Sequence, residues 1–181
     1  EAAPERGWGL IVERSWPSVA RFYAERDFTP VWSLDGRPTA AAEAAVAAIR
    51  QSGREGLAPS HYRADALEAD MAAMPLSATF DRQLTGEFLH FVSELQFGRL
   101  ATPDGYAGSD AQSPDQFDAA AILATVSTAS DPTQAIRQLA PFAAQYRSLR
   151  RALALYRDNA ARGGWEPIAA GQTIKPGMSD P

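Results

Sequence analysis

Glu55, His61 and Tyr62 share one short stretch, Gly53-Arg54-Glu55-Gly56-Leu57-Ala58-Pro59-Ser60-His61-Tyr62. A carboxyl and an imidazole can each give or take a proton, and a phenol can bond a hydroxyl or lie against a ring. Two glycines and a proline restrict the backbone that carries them. A loop held between two helical runs is where function gathers. A second row, Glu87, His90 and Glu94, falls at i, i+3 and i+7 along one side of a helical stretch. Two carboxylates and an imidazole there could hold a metal or run acid–base chemistry. Glu87 and Glu94 would then line a cleft edge; the plainer reading is the solvated border of an amphipathic helix.

Aromatic residues extend the candidate set. Trp8, Trp16, Trp32 and Trp165 fall in loops or at helix ends, and Tyr106 lies in a stretch rich in glycine, proline, aspartate and serine. Such rings either stack on sugar or pack extended segments onto helices. The ligand-binding candidates are therefore Trp32, His61, Tyr62, Glu87 and Tyr106, and the candidate catalytic group is Glu55. An acid at a helix end before a Gly/Pro turn is the layout of lysozyme-like lytic enzymes, in which apolar surroundings keep the acid protonated. Leu57, Tyr62 and Trp32 would supply those surroundings, although Gly56 stands where such enzymes carry serine. The alternative is an exposed loop carboxylate.

The elements that must position these groups read as helices. Trp8 to Val12 suggests a short strand or an arm, with Ser15-Trp16-Pro17 opening the first helix, which stops near Asp27. Phe28 to Trp32 is extended ahead of a turn at Asp35-Gly36. Thr39 caps a second helix carrying Ala42, Ala45, Val46 and Ile49, and Gly53 suits its left-handed end. A third helix runs from Ala64 to Met74. Ser77 starts the longest one, with the stripe Phe80, Leu84, Phe88, Phe91 and Leu95. Residues 101–114 read as a surface loop. Two further helices follow, 115–127 and a short one behind Asp131-Pro132. A last helix, ended by Gly163-Gly164, carries Tyr146, Leu149, Leu153 and Tyr156 as its apolar stripe. The expected architecture is all-α: a single helical domain of about seven helices over residues 15–166. An arm over 1–14 and an extended segment over 167–181 flank it.

Composition narrows the function classes. The chain has 181 residues, enough to bury a real core, with 45% hydrophobic and 22% charged residues. Its net charge of -5 argues against a non-specific grip on nucleic acid or anionic lipid. Apart from Lys175 the basic residues are arginines, which read as scattered among acids. With no cysteine there is neither a thiol nucleophile nor a thiolate-bound metal, and two histidines are too few for a histidine-rich metal site. No apolar run approaches the roughly 18 residues of a membrane span. Nothing matches a phosphate loop, a dinucleotide fingerprint or a zinc motif, so no cofactor and no metal is expected.

The ordered landmarks, taken together, resemble a known family. Phe22-Tyr23 with Phe28-Thr-Pro30-Val-Trp32, then Gly56-Leu57-Ala-Pro59-Ser-His-Tyr62, is similar to the opening of the scaffold domain of large, multi-domain bacterial L,D-transpeptidases. Leu84-Thr85, Phe88-Leu89, Gly98-Arg99 and Pro103 continue the pattern. Pro141, Tyr146, Leu149, Leu153, Tyr156-Arg157, Gly164-Trp165 and Ile174-Lys-Pro176-Gly177 close it. The resemblance implies a helical, periplasmic domain that precedes a peptidoglycan-binding module and a catalytic domain with a cysteine nucleophile. Residues 167–181 would then be the linker toward that module. The implied partners are peptidoglycan and the protein's own binding and catalytic domains. Without a cysteine this chain holds none of the family's catalytic residues. The resemblance thus implies a peptidoglycan-associated scaffold. The alternatives are a glycan-cleaving enzyme using Glu55 as general acid/base and a docking domain for other cell-wall enzymes.

Overall fold

The computed structural model describes residues 8–99 and 114–165. Within them the chain forms seven α-helices: α1 Gly9–Ala24, α2 Ala40–Arg50, α3 Ala64–Ala72, α4 Ala78–Phe97, α5 Ala119–Thr128, α6 Pro132–Arg137 and α7 Ala144–Ala161. Three 3-10 turns, Ser52–Glu55, Pro59–Tyr62 and Pro114–Gln116, punctuate them. The only ladder among the described residues pairs β1 Ser33–Leu34 with β2 Arg37–Pro38, with Ser33 opposite Pro38. The expected all-α class holds. Tyr106, the 101–113 loop and the 167–181 segment lie outside the described residues.

Local chemistry sets most helix starts. The Thr39 hydroxyl accepts from the Ala42 N–H (3.2 Å) and Ser77 from Phe80 (3.3 Å), while Asp118 and Asp131 accept from Ala121 and Gln134, both at 2.9 Å. Each side chain satisfies an N–H that the first turn leaves without a partner. The first helix departs from expectation. Trp8 to Val12 is not a strand or arm: α1 starts at Gly9 and carries Pro17 inside it. The apolar spacing explains this, because Val12, Val19 and Phe22 continue one buried face across the proline.

α4 is the centre of the body, with α1, α2 and α3 all packed against it, while α5 bridges α1 to α6 and α6 rests on α2. All five members of its predicted stripe are buried. Gly86 shows how closely α1 comes: a Cβ there would lie 2.1 Å from the Trp8 indole, so only glycine lets that ring seat. Trp8 in turn packs against Trp16, with ring centroids 4.9 Å apart.

A buried polar knot ties the Phe28–Trp32 segment to this centre. The Trp32 backbone N–H donates to Asp81 Oδ1 at 2.8 Å, and the Tyr23 hydroxyl donates to Asp81 Oδ2 at 2.6 Å. The Trp32 indole N–H donates to Thr85 Oγ1 at 2.8 Å, and Thr85 donates back to the Asp81 carbonyl. Burial raises the Asp81 carboxyl above its usual range, against the lowering effect of these donors, and pushes the Tyr23 phenol up.

Candidate functional site

The corner around Glu55 is built from two consecutive 3-10 turns rather than an open loop. α2 ends at Arg50, and Gly56, not Gly53, adopts the left-handed backbone, with φ of 83°. The reversal brings Glu55 to face α7, which lies distant in sequence. There its carboxylate accepts a hydrogen bond from the Tyr146 hydroxyl and an ion pair from Arg150 Nε at 2.8 Å. Burial and the bond to Glu55 push the Tyr146 phenol up. The Arg157 guanidinium donates to the Gly53 carbonyl, and Leu153 Cδ2 approaches Gly56. Turn and helix thus hold each other through one carboxylate, one phenol and two guanidinia.

Beside this corner lies an open groove of about 350 Å³. Phe91, Leu95 and Ile136 give it an apolar floor, and Gln51, Arg54, Glu55, Arg137 and Arg150 a polar rim. Glu55 is the one acid among its lining residues. Canonical glycoside hydrolysis uses two carboxyls flanking the scissile bond. This groove offers one, already engaged by a guanidinium and a phenol, where a lytic acid needs apolar surroundings. The surroundings expected for Glu55 are therefore corrected: Tyr62 and Trp32 point into the core instead.

The remaining candidates separate. Trp32 is 0% exposed, with its N–H bonded to Thr85 and its ring edge-on to Phe88 at 5.5 Å, so it offers no stacking face. Tyr62 is also 0% exposed, and its hydroxyl donates to Glu94 Oε2 at 2.6 Å. Glu87 is 4% exposed, inside the body rather than on a cleft edge. His61 is exposed beside Tyr62, with ring centroids 6.4 Å apart. The spacing of Glu87 correctly placed it on α4. What spacing could not reveal is that α4 is wrapped on several sides, which buries positions that would form a border on a surface helix.

The row Glu87, His90, Glu94 resolves into a local cluster. His90 Nε2 lies 3.2 Å from Glu94 Oε1, and Arg99 Nε lies 3.6 Å from Glu94 Oε2. Desolvation lowers the His90 pKa, with Glu94 pulling the other way. Burial and the bond to Glu94 raise Tyr62. Among the described residues no group of three or more histidine or acid side chains could hold a metal ion.

Sequence reasoning missed Tyr146 and Arg150 as partners of Glu55. Their i, i+4 spacing puts both on one side of α7, but no local signal says that this side faces the first 3-10 turn. It also missed the largely apolar cleft of about 410 Å³ between α1 and α4, lined in part by Trp16, Tyr23, Phe28 and Asp81. That cleft contains none of the predicted site residues. Of its polar groups, Tyr23, Asp81 and Thr85 belong to the knot that fastens Trp32.

Among the described residues the chain is a helical body with a buried polar knot around Asp81 and an amphipathic groove beside Glu55. The scaffold-domain family profile matches residues 17–153, more than half of the chain, and the chain belongs to that family. No curated protein and no solved structure matches it.

Proposed function

We propose that this domain is a non-catalytic platform of an L,D-transpeptidase-type cell-wall protein, holding peptidoglycan glycan or peptide in the bacterial periplasm beside its own binding and catalytic domains. Membership of the scaffold family and the ordered landmarks from Phe22 to Gly177 support the association. The observation that carries the reading is the groove beside Glu55. An apolar floor with a rim of amide, carboxylate and guanidinium groups suits a polymer that presents both ring or methyl faces and hydrogen-bonding edges. Glu55 serves here as the post that fixes Arg150 and Tyr146 at the rim. No helix among the described residues is long and apolar enough to cross a membrane.

Sedimentation of the purified chain with peptidoglycan sacculi tests the proposal. The chain is expected in the pellet, and Arg137→Ala with Gln51→Ala in the rim is expected to reduce that fraction. A chain left wholly in the supernatant counts against wall binding and favours docking to other wall enzymes. Soluble muropeptides released by the wild type and abolished in Glu55→Gln would replace the platform with a glycan-cleaving enzyme.

A further inference from the structure

Five of the arginines that look scattered in the sequence converge at α7. A second open groove, of about 490 Å³, is lined by Arg54, Arg147, Arg150, Arg151 and Arg157, with only Leu153 and Ala154 beside them. No acid lines it, in a chain whose net charge is -5. Three of the guanidinia are already oriented by the protein: Arg150 by Glu55, Arg157 by the Gly53 carbonyl and Arg54 by the Gln51 side chain at 2.6 Å. Arg147 and Arg151, one turn apart on the exposed side, have no acidic partner among the described residues. Like charges gathered at this density repel unless an anion lies among them. Arginine, whose planar fork matches a carboxylate or a phosphate with two parallel bonds, is the residue suited to take one.

We infer that this groove binds an extended anionic chain, whose carboxylates or phosphates engage the guanidinium row of α7. Arg147 and Arg157 stand ten residues apart, which on an α-helix is about 15 Å, so the row fits several anionic groups in series rather than one isolated ion. The inference rests on the platform reading only for its natural source, the free carboxylates of peptidoglycan stem peptides. The same chemistry would accept an oligophosphate.

Titration calorimetry on the intact chain at low salt tests it with three probes: a soluble disaccharide-tetrapeptide with free carboxylates, the same molecule with its carboxyls amidated, and tripolyphosphate. The free-carboxylate form is expected to bind roughly tenfold or more tightly than the amidated one, and added salt should weaken it. Arg147→Gln with Arg151→Gln should cost roughly tenfold. Both positions are exposed and without an acidic partner among the described residues, and an unchanged helical circular dichroism spectrum checks the fold. Glu55→Gln, which frees Arg150, should strengthen binding. Tripolyphosphate binding in place of the tetrapeptide supports the anion site and assigns it to phosphate. If neither anion binds, or the double arginine variant binds as the wild type does, the inference is overturned. Sacculi retained by that variant would leave the platform reading standing while removing this groove from it.

Discussion

α4 and α7 are nearly matched in length, at 20 and 18 residues, and both carry an apolar stripe at helical spacing. α4 buries twelve residues, among them Asp81, Thr85, Glu87 and Ser93. α7 buries none; Leu149 is 63% and Tyr156 62% exposed, and the Tyr156 ring lies against Trp165, with centroids 5.2 Å apart. Of the stripe on α7, Tyr146 packs partly buried against the core and Leu153 is half-buried, while Leu149 and Tyr156 lie exposed. Periodicity reports that a helix has two faces, but what covers those faces depends on how many neighbours reach it. α4 has three helices against it, while α7 meets the body chiefly through the Ser52–Glu55 turn.

Two carboxylates express the same difference. Asp81 and Glu55 each accept a hydrogen bond from a tyrosine. The Asp81 carboxylate also accepts from the Trp32 backbone N–H, inside the body, while Thr85 bonds the Asp81 backbone carbonyl. Around Glu55 lie a partly exposed guanidinium and open groove. The first arrangement fixes a chain segment in place, and the second leaves charge at a surface where a ligand can compete for it.

The contrast can be broken by mutation, starting where the largest loss is expected. Asp81→Ala leaves the Trp32 N–H without an acceptor in the interior and the Tyr23 hydroxyl with Thr85 Oγ1 alone, and should cost about 3 kcal/mol in a urea unfolding titration. A loss under about 1 kcal/mol would mean that the knot does not hold the Phe28–Trp32 segment. Gly86→Ala should follow, at about 2 kcal/mol, because the added methyl displaces the Trp8 ring. Quenching and red shift of tryptophan fluorescence would accompany it.

A smaller effect is expected from His90. Burial holds its imidazole below the ordinary value of 6.5, with Glu94 opposing. In the unfolded chain the proton binds first, so the His90 contribution is intact above about pH 6.5 and is lost as pH falls through that value toward the folded pKa. Wild-type Tm should decline across this window, and His90→Gln should flatten the decline; parallel curves for the two proteins would refute this. At the α7 corner, Glu55→Gln should cost under about 1 kcal/mol, since the ion pair is partly exposed. Leu149→Ser with Tyr156→Ser should change stability by no more than about 0.5 kcal/mol for each substitution. A loss as large as that at Asp81 would show that these side chains are covered in solution, and would erase the distinction between the two helices.

Much of the fold was legible because its signals are local. Thr39, Ser77 and Asp131 each bond an N–H three residues on, so capping can be read from neighbouring letters, as can the Phe80-to-Leu95 stripe, whereas α5 starts at Ala119 behind Asp118 and not at 115. The site was legible only in part. The sequence places Glu55 at the corner, but its neighbours are a guanidinium and a phenol instead of apolar groups, and Trp32 and Tyr62 are core residues instead of ligand faces. Sequence alone established the helices, the starts of α2, α3, α4 and α6 and the corner with its acid, because propensity, capping and periodicity act over a few residues. Tertiary structure decided which stripes are covered, that Tyr146 and Arg150 meet Glu55, and that the arginines of α7 share one groove. Those outcomes depend on contacts between residues distant in the chain, for which no local spacing carries a signal.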